Sequence, residues 1–343
     1  MSPDAKDIRL VATDFDGTLF RYGNESAHYP RFGRAMRRLR RENGACWVVF
    51  SGRTLSSLKR ASRSLAGMRI APDHIVVRRS LVFSRVRHFW RFRPLLTVRA
   101  ILSIRQRRQE LNRAVSRVLD YVNNRFTHTR ATTASTLHRR VHFRNETDAS
   151  EACEHVEQML RNEAHLNVRR ESVEVEIRSI PFEKGAALAV MEEALGVPPS
   201  HVLAIGDGRS DLGMMQPAVA AFTGCPRNAA PEVVEHVMHT GGHIATEPSV
   251  SGTAQVLAAY QDGNVSSSPP DSFRPAPWHT APAESSNDRE GPKTSMRSFE
   301  IAAIVVGILV AILALANLGA LPFSRQILKP WNLLIEFLIR IFL

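Results

Sequence analysis

Three short apolar runs, each ending in a polar cluster, constrain the fold of this chain more than any other feature. Residues 8–13 (IRLVAT) lead to Asp14-Phe15-Asp16-Gly17-Thr18-Leu19. Residues 45–50 (ACWVVF) lead to Ser51-Gly52-Arg53, and residues 201–205 (HVLAI) to Gly206-Asp207-Gly208-Arg209-Ser210-Asp211. A helical pattern follows each tip. Runs that are apolar at every position read as strands covered on both faces, as in a parallel sheet with helices above and below. Ligands of such sheets bind beyond the carboxyl ends of the strands. The expected core is therefore α/β, a Rossmann-like doubly wound parallel sheet with its functional residues along one edge.

The groups at that edge suit phosphoryl chemistry. Asp14 and Asp16 are one residue apart, so their side chains leave the strand end on different sides; one can attack while the other handles protons. Gly17 lets the backbone come close to an anion, and Thr18 and Ser51 supply hydroxyl donors. Asp207 and Asp211, four apart over a turn, can hold a hard cation such as Mg²⁺, which prefers carboxylate, carbonyl and water oxygens. Lys184, in Pro-Phe-Glu-Lys-Gly-Ala-Ala-Leu, falls in the first turn of a helical pattern. A cation there opposes the helix dipole, which points to a second role such as neutralising a phosphate. The thirteen histidines show no metal-ligand spacing, and His201, His236, His239 and His243 read as core-edge or surface residues.

Taken in order, Asp14-x-Asp16-Gly17-Thr18-Leu19, Ser51-Gly52-Arg53, Lys184-Gly185 and Gly206-Asp207-Gly208-x-x-Asp211 resemble the four motifs of the haloacid dehalogenase-like phosphatases. The roughly 130 residues between the second and third motifs resemble the subgroup with a large α+β cap domain inserted there, similar to sucrose-phosphate and mannosyl-3-phosphoglycerate phosphatases. The resemblance implies that Asp14 is the nucleophile and becomes an aspartyl-phosphate. It implies that Asp16 protonates the leaving group and then activates water, and that Ser51 and Lys184 hold phosphoryl oxygens. Thr18, Gly52, Arg53 and Asn228 would line the substrate. Mg²⁺ would be held by the Asp14 carboxylate, the Asp16 carbonyl and Asp207, with Asp211 beside them. Two departures stand out: Ser210 replaces the usual Asn of the fourth motif, and Val77-Arg78-Arg79-Ser80 replaces the usual Asn-Gly turn where the cap begins. The activity expected is hydrolysis of a small phosphate monoester, with a phosphotransferase or mutase on the same fold, or a non-catalytic scaffold, as alternatives.

The expected domain plan is core over 1–68 and 184–260 with the cap over 69–183. Cap strands are expected near 74–77, 81–92, 138–144 and 172–178, and helices near 97–122 and 148–162. Charge is concentrated: of a net +12, residues 31–113 carry 22 basic against 3 acidic residues. In Arg85–Arg93 (RVRHFWRFR), period two sets Arg85, Arg87, Arg91 and Arg93 on one face. Arg34, Arg37, Arg38 and Arg41 form a helical stripe. A solvated face, a surface for anionic lipid headgroups and a groove for a polyanion all fit this charge. No nucleic-acid motif is present, so nucleic acid is not an expected partner. Three cysteines without a CxxC pair exclude a disulfide scaffold.

Residues 301–321 (IAAIVVGILVAILALANLGAL) carry no charge, and as a helix they would run about 31 Å, enough for a hydrocarbon core of about 30 Å. The expectation is a C-terminal transmembrane helix over 298–321, a Ser/Pro-rich linker over 261–297 and an amphipathic interfacial tail over 322–343. Without a charged leader ahead of an apolar run at the N-terminus, the catalytic part is expected on the cytoplasmic side of the membrane.

Overall fold

The computed structural model describes residues 7–20, 28–61, 68–127, 129–135, 138–163 and 165–268. Among these, strands β1 (Leu10–Asp14), β2 (Cys46–Ser51) and β3 (His74–Val77) alternate with helices α1 (Tyr29–Asn43) and α2 (Leu55–Ala61). A hairpin follows, β4 (Leu81–Val86) and β5 (Phe89–Phe92), then the 32-residue helix α3 (Pro94–Arg125). The cap elements are β6 (Arg130–Ser135), β7 (His138–His142), α4 (Glu146–Met159), β8 (Leu166–Glu171) and β9 (Glu174–Ser179). The chain returns through α5 (Glu183–Leu195), β10 (Val202–Ile205), β11 (Phe222–Cys225), α6 (Pro231–His239), β12 (His243–Ile244) and α7 (Ser249–Asp262).

Eight strands form the core sheet in the order β12-β11-β10-β1-β2-β3-β4-β5, parallel from β12 to β3 and antiparallel over the last two. β1 lies between β10 and β2, with Thr13 beside Ile205 and Asp14 beside Phe50, so the polar tips of all three strands emerge together. Their apolar runs bury both faces. Val11, Trp47 and Val49 pack with Phe32, Met36 and Leu39 of α1 and Leu257 of α7. On the other side Leu10, Val48 and Ala204 pack with Leu188 and Met191 of α5 and Val233 of α6.

The second sheet, β6-β7-β9-β8, is antiparallel and has its own core of Leu111, Val115, Val118, Phe143, Val156 and Ile177. Helix α3 joins the two bodies: Ala100 packs into the main core, whereas Leu111 to Val122 belong to the cap.

The cap differs from its expected layout. The strands at 74–77 and 81–92, expected in a cap beginning at residue 69, extend the core sheet instead, and the second sheet starts only at Arg130. The stretch 81–92 is also two strands. It folds back at Arg87-His88, with Arg87 at φ 54°, and Phe83 pairs with Phe92. The reversal changes the phase of the alternation: Arg85 sits opposite Trp90, on the sheet face of Phe83 and Phe92, and no longer shares a face with Arg91. A turn lacking Gly, Asn or Asp carries no sequence signal. Strands β6 and β8 were not expected; both are edge strands with little apolar periodicity.

The α1 stripe is partly drawn into the fold. Arg37 donates to the carbonyls of Met68 and Arg69, and Arg38 pairs with Glu42 and Asp262, leaving less basic surface than the sequence suggests. The linker also begins later than residue 261, because α7 runs to Asp262 and Ser266 bonds to β12 through Ile244 and His243. Among the described residues no helix is long and apolar enough to cross a membrane. The expected span 298–321 and tail 322–343 lie outside those residues.

One buried carboxyl group yields a stability prediction. Glu192 on α5 is 5% exposed, its Oε1 has no hydrogen-bond partner among the described residues, and burial pushes its carboxyl up to about 8. The folded state therefore holds a proton that the unfolded chain releases near its ordinary value, so this site's contribution is complete below about pH 4.5 and is lost as pH rises through about 8. Glu192→Gln is expected to flatten that loss and to be more stable than the parent at pH 9 by roughly 2–4 kcal/mol. Denaturant melts at pH 5 and 9 check this; parallel losses in both proteins would contradict it.

Candidate active site

The ends of β1 and β10 and the first turn of α5 lie against one another, and the groups they carry meet. Asp14, Asp207 and Asp211 each offer a carboxylate oxygen, and all three oxygens lie within 4.8 Å of one another. Lys184 Nζ donates to Asp14 Oδ1 at 2.6 Å and also to Asp211 Oδ1. Asp14, Lys184 and Asp211 are all buried. Burial, reinforced by the neighbouring Asp211 charge, pushes the Asp14 carboxyl well above its ordinary value. Burial also raises Asp207, to about 6. For Lys184, burial alone would lower its value, but the Asp211 and Asp14 carboxylates outweigh it and hold the ammonium charged.

Asp211 has a role the spacing did not reveal. Its Oδ2 accepts the backbone N–H groups of Asp207 and Gly208, at 3.0 and 2.9 Å, so this carboxylate shapes the loop that presents Asp207. Asp207 is oriented in turn by Thr18, whose hydroxyl donates to Oδ1 at 2.7 Å, and by Asn228, which donates to Oδ2 at 3.3 Å and to the Gly17 carbonyl at 3.0 Å. Buried Thr253, which the motif reading left without a role, donates to the Thr18 carbonyl at 2.7 Å and fixes the loop from behind.

Gly17 is required on two counts. Its φ is 81°, and a Cβ there would lie 2.0 Å from Asp207 Oδ2. Gly17→Ala is expected to displace Asp207 and to lower turnover about 100-fold, as displacements near 1 Å do in active sites, while the fold persists. Phosphate-release rates together with circular dichroism measure this; near-normal turnover would contradict the close packing.

Asp16 and Arg53 stand at the mouth. Arg53 Nε and Nη2 bind both Asp16 oxygens at 2.6–2.9 Å, and the guanidinium lies over the Phe15 and Phe20 rings, 5.7 and 5.5 Å from their centroids. In this arrangement both Asp16 oxygens accept from Arg53, while the Asp16 side chain stays 44% exposed. Ser51 is buried at the end of β2, its Oγ accepting the Arg53 N–H at 3.1 Å, and Gly52 is exposed with open space where a side chain would be. The expected site residues thus fall into a buried group around Asp14 and a second pair, Asp16 and Arg53, at the entrance.

The donor set fits a hard divalent cation: three carboxylates against one ammonium leave a negative excess in a buried place, and oxygen is the only ligand type offered.

Residues 88–252 match the family described as haloacid dehalogenase-like hydrolase, a stretch that takes in the cap, Lys184 and the Asp207–Asp211 loop. No curated protein matches the chain. Similar solved structures include a sucrose-phosphatase from Synechocystis determined with sucrose and phosphate, at 15% identity, covering 74% of this chain and 97% of that one with a TM-score of 0.40. A haloacid dehalogenase-like hydrolase protein from Bacillus subtilis is 14% identical over 76% of this chain and 93% of its own, TM-score 0.43. Another from Bacteroides thetaiotaomicron is 17% identical over 73% and 98%, TM-score 0.39. Over residues 88–252 the chain is similar to the haloacid dehalogenase-like hydrolases, a family of enzymes.

Proposed function

We propose that this hydrolase is a Mg²⁺-dependent phosphatase acting on a small phosphate monoester through an aspartyl-phosphate at Asp14. The observation that carries the reading is the convergence of Asp14, Asp207 and Asp211 within 4.8 Å, with Lys184 bonded to Asp14. An Asp14 oxygen attacks phosphorus as the bond to the leaving oxygen breaks, and protonated Asp16 gives that oxygen its proton. Water then attacks the phosphorus of the acyl phosphate while Asp16 takes up its proton; the P–O bond to Asp14 breaks and inorganic phosphate departs. One difficult displacement becomes two easier ones. Lys184 and the Ser51 hydroxyl offset charge on the transferring oxygens. Asp14, Asp207 and the Asp16 carbonyl would hold Mg²⁺, which when bound supplies further charge stabilisation.

The test is phosphate release from p-nitrophenyl phosphate with and without Mg²⁺, with sugar, glycerate and inositol phosphates as further substrates. Mg²⁺-dependent release supports the reading, and no release from any of them contradicts it. Adding a sugar acceptor separates hydrolysis from transfer.

Metal affinity should depend on pH. A protonated carboxylate does not ligate, and both Asp14 and Asp207 are shifted upward, Asp207 to about 6. Mg²⁺ binding is therefore expected to weaken about tenfold or more between pH 8 and pH 5.5, with proton release on binding at the lower pH. Calorimetric titrations in two buffers check it; pH-independent affinity would contradict it.

The same proposal tethers the enzyme to the cytoplasmic face of a membrane through the apolar stretch 301–321, with residues 31–113 resting on anionic lipid. Fractionation of the full chain against a chain lacking residues 298–343 tests the tether, and salt-sensitive binding to anionic vesicles tests the basic surface.

A further inference from the structure

The turn that ends β3 has a chemistry its geometry does not favour. Arg78 and Arg79 both adopt left-handed backbone, at φ 49° and 70°. They are the consecutive pair among the few non-glycine residues of positive φ in the described chain. Glycine or asparagine takes this conformation readily, whereas an arginine there is strained and loses local stability. Strain of this kind concentrates where side chains serve a ligand.

The location agrees. β3 runs parallel to β2 with Val77 beside Ser51, so Arg78 and Arg79 follow directly on the strand position next to the Ser51 tip. They therefore lie along the edge where Asp14, Ser51 and Asp207 gather. Arg79 Nη1 reaches Glu183 Oε1 at 3.5 Å, and Arg108 of α3 reaches the same oxygen at 3.5 Å. Glu183 immediately precedes Lys184, so both guanidinium groups reach the side chain next in sequence to the Asp14 partner. The Glu183 side chain is 16% exposed while Arg79 is 58% exposed. One long ion pair occupies at most one of the five donors a guanidinium presents, and planar guanidinium groups suit phosphate and carboxylate.

We propose that Arg78 and Arg79, with Arg108 behind them, form a second anion subsite, so that the substrate is a phosphate monoester carrying another anionic group, a second phosphate or a carboxylate. This inference rests on the phosphatase reading for the position of the reacting phosphate. The Arg pair binds and orients the far end of the substrate and takes no part in the bond changes at Asp14.

The experiment uses the full chain carrying Asp14→Asn, with Mg²⁺, so that substrates bind without turning over. Calorimetry compares fructose 1,6-bisphosphate with fructose 6-phosphate, and 3-phosphoglycerate with glycerol 3-phosphate. The second anion is expected to tighten binding at least tenfold in one pair, with a preference that shrinks as salt is raised. Adding Arg78→Asn with Arg79→Gly supplies the residues the turn prefers, and should bring the ratio close to one while the melting temperature holds or rises. Arg79→Gln alone, which keeps the polar side chain, should lower the ratio partway. Equal binding within both pairs, no binding of any of them, or a ratio unchanged in the variants would overturn the proposal. Turnover of p-nitrophenyl phosphate by the unsubstituted enzyme reports separately on the phosphatase reading, since that probe has no second anion.

Discussion

Asp14→Asn is expected to abolish phosphate release, lowering turnover by on the order of 10⁴-fold or more, while the protein keeps its fold. The amide matches the carboxylate in size but is a far weaker nucleophile and a poor ligand for a hard cation. Asp14 is buried at the end of β1 with its oxygen on Lys184, so no water can readily take its place. The neighbouring Asp211 continues to hold Lys184, which keeps the ammonium from being stranded. The variant should therefore melt within a few degrees of the parent. Residual turnover within 100-fold of the parent would place the attack elsewhere.

Lys184→Met is expected to affect stability as well as activity. Among the described residues the lysine is the one cation bonded to both Asp14 and Asp211, and methionine fills similar volume without charge. Removing one side of a buried charge pair leaves uncompensated carboxylates and destabilises by about 3–5 kcal/mol. Desolvated and beside Asp211, Asp14 and Asp207 would then take up protons more readily, because the ammonium that opposes their shift is gone. The loss should be largest at high pH and smaller toward pH 5, where protonation relieves the repulsion. Melting curves across that range distinguish this from simple loss of packing, which would destabilise equally at every pH. Turnover should fall with stability restored as well as without, since the ammonium that faces the phosphoryl group is gone.

How much of this was legible depended on where each signal resides. The central strands were readable because strands covered on both faces are apolar without a break, as β1, β2 and β10 are, and their polar tips do come together in space. The unusual place of Lys184, at a helix start, pointed to a second role such as neutralising a phosphate; in the structure it bonds to a pair of carboxylates. What sequence could not show were contacts between distant residues of ordinary type. Arg53 on Asp16 and Glu183 on Arg79 are such contacts. The dual use of Asp211, with one oxygen for Lys184 and one for the loop backbone, is visible only once the turn is built. The hairpin at Arg87-His88 escaped because an uninterrupted alternation looks like a single strand when its turn has no Gly or Asn. The substitution of Arg78-Arg79 for a flexible turn was visible as an oddity, and its meaning came from its position beside Ser51.

The central claim is that Asp14 bonds covalently to phosphorus. The most direct measurement is acid quenching of the full-length enzyme within milliseconds of mixing with p-nitrophenyl phosphate labelled with ³²P, followed by borohydride reduction and peptide mapping. Reduction converts a phosphorylated aspartate to homoserine and releases its phosphate, so the ³²P should be bound to the quenched protein and leave on reduction, and the homoserine should map to position 14. Label on another side chain, or turnover with no labelled protein at any time, would contradict it.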